Sequence, residues 1–182
     1  MRVLIAYGTT EGQTRKIAEH VAQQLDAGGH AAELVDSARP PAGLQIADFD
    51  ALVVIASIHQ KAHPQHVARF VREHLDALQR NPSLFMSVSL SAAFEEGRAE
   101  AQQYVDRFLA DTGWTPTRTH LVAGAFLHSL YDFYEEQIVE HVVLKGREIA
   151  GTEGDRELTD WDDLSQTVEA FMRSAGEQAQ DG

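Results

Sequence analysis

Val3-Leu4-Ile5-Ala6-Tyr7-Gly8-Thr9-Thr10-Glu11-Gly12-Gln13-Thr14 reads as a strand, a loop and the start of a helix. The apolar run Val3 to Tyr7 suits a buried strand, and Ile17, Val21 and Leu25 recur beyond the loop at the spacing of one helix face. Gly28-Gly29 should end that helix, a second strand is expected over Ala31 to Val35, and Pro40-Pro41 marks a loop. The hydroxyls and glycine at Thr9, Thr10, Gly12 and Thr14 fall where strand hands over to helix. Backbone N–H groups, threonine hydroxyls and the positive end of a helix together can cradle a phosphate without any lysine. Thr10 and Gln13 also fit an ordinary Thr-x-x-Gln capping box, and the three hydroxyls favour the cradle. The stretch is neither the Walker loop nor the Gly-x-Gly-x-x-Gly dinucleotide fingerprint, because only Gly8 and Gly12 are present.

Outward from this stretch the alternation continues. Ala51 to Ala56 is continuously apolar, as in a central parallel strand covered on both faces. A loop from Ser57 to Pro64 leads to a helix with Val67, Phe70, Val71, Leu75 and Leu78 on one face, which Asn81-Pro82 stops. Leu84 to Leu90 is a fourth strand, Ser91 to Gly97 a loop, and Tyr104, Val105, Phe108 and Leu109 the buried stripe of a helix ending near Gly113. His120 to Phe126 is a fifth strand. This order predicts an α/β, doubly wound parallel sheet of about five strands with helices on both faces. An insertion of about 127–158 separates the fifth strand from the last helix, with helical spacing over Tyr131 to Lys145. That last helix is expected to start at a capping Thr159 and to bury Leu164, Val168, Phe171 and Met172. One domain over 1–176 and a disordered tail over 177–182 complete the expectation.

Composition narrows the function. With 15 basic and 28 acidic residues the net charge is −13, which opposes nucleic acid and disfavours stable binding to anionic lipid. There is no cysteine, so redox chemistry must come from a cofactor. No signal-like or bilayer-length apolar run is evident, and a cytoplasmic location is expected.

The segment Tyr7 to Thr14 resembles the phosphate loop of flavodoxins, and its Gly-Gln-Thr followed by Arg15 is similar to one branch, the flavodoxin-like menaquinone-dependent protoporphyrinogen IX dehydrogenases of bacteria. Ala56-Ser57-Ile58, Phe85 to Leu90, Ala123-Gly124-Ala125 and Thr159-Asp160-Trp161 carry the same resemblance along most of the chain. It implies flavin mononucleotide (FMN) as cofactor, protoporphyrinogen IX as substrate, a quinone as acceptor and a place in heme biosynthesis. The implied FMN-binding residues are Thr9, Thr10, Glu11, Gly12, Gln13 and Thr14, then Ser57, Ile58 and His59, then Ser89, Leu90, Ser91 and Ala92. No residue is assigned as acid or base, since the flavin carries the chemistry. The chain departs from that branch at His59-Gln60-Lys61 and in the acidic balance of 131–149.

A flavodoxin-type electron carrier with no substrate of its own is the second reading, and a redox protein would then replace the small molecule as partner. The apolar stripe of the insertion is expected to pack against the protein itself or against a second copy in a homodimer. Among the nine histidines, His59, His63 and His66 cluster, but a helix starting near Pro64 leaves His59 outside it and no carboxylate matches. No metal is expected. His59 reads as a flavin-edge residue, His63 and His66 as solvated loop, and Ser57, Ser87, Ser89 and Ser91 as small donors. Trp114 and Trp161 are read as packing residues away from the carboxyl edge of the sheet.

Overall fold

The computed structural model describes residues 1–9, 12–126 and 156–180. Five parallel strands form the sheet: β1 (Arg2–Gly8), β2 (Ala31–Asp36), β3 (Ala51–Ser57), β4 (Ser83–Ser89) and β5 (Arg118–Ala123), in the order β2-β1-β3-β4-β5. Every residue of β4 is buried, as is all of β3 up to Ala56, which explains their unbroken apolar character.

Helix α1 (Gln13–Ala27) buries Ile17, Val21 and Leu25 against one face of the sheet, where the last helix, α5 (Trp161–Gln180), adds Leu164, Val168, Phe171 and Met172. Helices α2 (Gln65–Glu73), α3 (Leu75–Arg80) and α4 (Arg98–Thr112) cover the other face with Val67, Phe70, Leu78, Val105 and Phe108. Burying both sheet faces removes the apolar strands from water, the main driving force for this architecture.

Four expectations change in detail. The single helix expected from Val67 to Leu78 is two, because the chain turns at His74 (φ −119°, ψ 18°), whose ring meets the edge of Phe70. The fifth strand stops at Ala123; Gly124 gives its N–H to the Ser89 carbonyl, and β6 (Ala125–Phe126) pairs instead with β7 (Arg156–Glu157). Helix α5 runs through Gly176 to Gln180, where a disordered tail from 177 was expected, since Glu177, Gln178, Ala179 and Gln180 are all good helix formers and a single glycine costs only about 1 kcal/mol. Its cap is Asp160, not Thr159: Asp160 Oδ1 accepts the N–H of Asp163 at 3.0 Å, while the Thr159 hydroxyl donates to the Ala123 carbonyl at 2.7 Å. The helix expected over 131–145 lies outside the described residues.

Candidate functional site at the carboxyl edge of the sheet

Strand order reverses at β1 and β3, so the loops leaving Gly8 and Ser57 diverge and open a crevice at the carboxyl edge. Gly12 stands at the N-cap of α1 with φ 91°, a left-handed conformation that glycine adopts without strain. Among the described residues no side chain caps the helix there, which leaves its first N–H groups to face an anion. Thr9 Oγ1 accepts the Gly12 N–H at 3.0 Å, and Thr14 is buried beneath the turn. Thr10 and Glu11 lie outside the described residues.

Gln13 does not close a capping box. Its carboxamide donates to Thr159 Oγ1 at 3.0 Å and reaches Glu157 at 3.4 Å. Glu157 also pairs with Lys16 and accepts the Trp161 indole N–H at 2.6 Å, and this lysine contact chiefly holds its carboxyl below the usual carboxylate range. Trp161 therefore stands at the carboxyl edge, with Lys16 over its ring at 5.4 Å, contrary to the expectation that it lies far from it. Trp114 is a core residue, in contact with Phe85 at 5.5 Å.

On the other side of the crevice, Ser57 Oγ is buried with no hydrogen-bond partner among the described residues. Ile58 ties the loop to β4 by donating its N–H to the Val88 carbonyl at 2.8 Å. His59 and Ala62 then exchange backbone bonds around Gln60 and Lys61, both left-handed at φ 50° and 61°. His63 is not solvated: it is 6 % exposed, bonds Ser87 Oγ through Nε2 at 2.9 Å, and packs against Phe85 and Phe108. Burial pushes its pKa down to about 3. His66 is half-buried with Nε2 unpartnered among the described residues, and burial lowers its pKa too. No group of three or more metal-binding side chains occurs among the described residues.

The third wall follows β4. Ser89 Oγ accepts the Ala92 N–H at 3.2 Å, and Ser91 donates to Glu100, which also accepts from Tyr104. Gly97 presses on this turn so closely that a Cβ would lie 2.3 Å from the Ser91 carbonyl oxygen. Leu90 and Ala92 are buried. The side chains of Ser89 and Ser91 thus build the loop, so backbone groups are what it offers a ligand. Phe94, half-buried in the same loop, was passed over in the sequence; an aromatic interrupting a serine- and alanine-rich turn was the available signal.

A family model described as Flavodoxin domain matches residues 4–150. The chain belongs to the flavodoxin family. It is 30 % identical over 166 residues to protoporphyrinogen IX dehydrogenase (quinone) of Escherichia coli K12, covering 91 % of each chain. The protein of that name from Leishmania major is 28 % identical, over 88 % of this chain and 70 % of its own. Among solved structures, oxidised flavodoxins 1 and 2 of Bacillus cereus superpose with TM-scores of 0.57 each, at 13 % and 17 % identity, covering 95 % and 96 % of this chain and 98 % and 99 % of theirs.

The cofactor of this flavodoxin-family chain is FMN, and the described residues fit it. A helix start that no described side chain caps, beside Thr9 and Thr14, suits a phosphate, and the buried hydroxyl of Ser57 across the crevice, unpartnered among the described residues, has hydrogen-bonding capacity to give. Lys16 is already paired with Glu157, so the phosphate would be held by N–H dipoles and hydroxyls.

Proposed function

We propose that this chain is an FMN-dependent oxidoreductase that dehydrogenates protoporphyrinogen IX, with a quinone as electron acceptor, in heme biosynthesis. The observation that carries the reading is similarity to proteins of that name over nine-tenths of the chain. FMN, when bound, would supply the redox chemistry, accepting electrons from the reduced macrocycle and passing them on to the quinone. The protein's part is positional. Gly12 and the first turn of α1 would hold the phosphate with Thr9, Thr10 and Thr14, while Ser57, Ile58 and His59 would line one side of the ring and the Ser89 to Ala92 backbone the other. With no acid or base assigned, protons would leave to solvent at the open edge.

A net charge of −13 favours a second reading, an electron carrier steered onto basic redox proteins. Turnover separates the two. FMN-loaded protein given protoporphyrinogen IX and a menaquinone analogue without oxygen should accumulate fluorescent protoporphyrin. No turnover, together with rapid electron exchange with a basic redox protein, would make it a carrier.

A further inference from the structure

We propose that His63 is a positioning residue, whose bond to Ser87 holds the left-handed Gln60-Lys61 turn in place beside the flavin. The proposal rests on the flavin reading of this edge. Neither Gln60 nor Lys61 is a glycine, an asparagine or an aspartate, the residues that normally occupy both centres of such a two-residue turn. Left-handed backbone is unfavourable for ordinary L-residues and persists only where the surroundings over-determine it.

Here the surroundings pin both ends of the turn to adjacent residues of one buried strand. The entry is fixed by the Ile58 N–H on the Val88 carbonyl at 2.8 Å, and the exit by His63 Nε2 on Ser87 Oγ at 2.9 Å. With Ile58 and His63 tied to neighbouring residues of β4, the intervening residues reverse in a tight hairpin, which the paired His59 and Ala62 close. The paired bonds of His59 and Ala62 move with the turn and cannot anchor it. His63 can, because its ring is wedged at 5.2 Å from Phe85 and 4.8 Å from Phe108. Burial keeps the imidazole neutral, so the latch does not titrate near neutral pH.

The test uses full-length protein and two readouts: FMN affinity by flavin fluorescence, and amide exchange of His59 and Ala62 without cofactor. Ser87→Ala removes the latch with little loss of volume. It should weaken FMN about tenfold, the worth of one strained residue, and speed exchange at both amides while core amides such as Val53 stay protected. His63→Gln, which keeps a polar nitrogen near the same place, should stay nearer the wild type than His63→Ala. Adding Gln60→Gly to Ser87→Ala relieves the strain and should recover most of the affinity. Unchanged exchange and affinity in Ser87→Ala would overturn the proposal, as would losses that Gln60→Gly does not recover. Wild-type protein that binds no FMN would remove the flavin reading, while accelerated exchange in Ser87→Ala would still establish the latch.

Discussion

Ser57 keeps a buried hydroxyl without a partner among the described residues, an arrangement that destabilises a fold by roughly 1–3 kcal/mol unless a ligand satisfies it. Ser57→Ala should therefore leave the cofactor-free protein as stable as the wild type or about 1 kcal/mol more stable, while FMN affinity falls. Denaturant midpoints and a flavin titration read the two effects, and lower apo-stability would mean that the hydroxyl has a structural partner. His63 makes a different prediction. Unfolded, its imidazole binds a proton near pH 6.5, but the folded site accepts one only near pH 3. Its folded pKa is depressed, so stability is full above pH 6.5 and falls as pH drops, by up to about 1.4 kcal/mol per unit. His63→Gln should flatten that part of the stability profile, and parallel urea curves for the two proteins between pH 4 and 7 would refute this. The glycine turn between β1 and α1 was legible in the sequence because its residues are neighbours along the chain. The environment of His63 was not, because a histidine next to Pro64 in a polar loop carries no mark of the strand it will lie against.

At the level of elements, α5 shows how weak a single stop signal is. Gly176 lies inside the helix, and a Cβ there would meet nothing within 4 Å. Gly176→Ala should raise stability by about 0.5–1 kcal/mol, and a fall in melting temperature would place the helix end before it. Asp160→Ala should lose about 1 kcal/mol with the cap, measured by the same unfolding curves; an unchanged protein would return capping to Thr159. Helical periodicity was readable in α1, α4 and α5 because each buries a stripe of apolar residues. The break between α2 and α3 was not, since the apolar spacing runs through it and only the turn at His74 divides it.

For the whole molecule, charge is the property that acts at a distance. Among the described residues no helix is long and apolar enough to cross a membrane, and the net charge of −13 repels anionic headgroups. We expect no co-sedimentation with anionic vesicles at low salt. Strong sedimentation that survives added salt would show apolar insertion and would bring the quinone-bearing membrane into the mechanism.

The sequence alone determined the alternation of strands and helices, the doubly wound sheet, the glycine turn after β1 and the flavin family, because each is written in residues close together along the chain. Tertiary structure decided the partners of the polar side chains. Gln13 bonds Thr159, 146 residues away, rather than capping its own helix, and His63 meets Ser87, 24 residues away, rather than water. A local pattern records how a segment wishes to bury its apolar face, whereas a hydrogen-bond partner is chosen by whichever distant element the finished packing brings within reach.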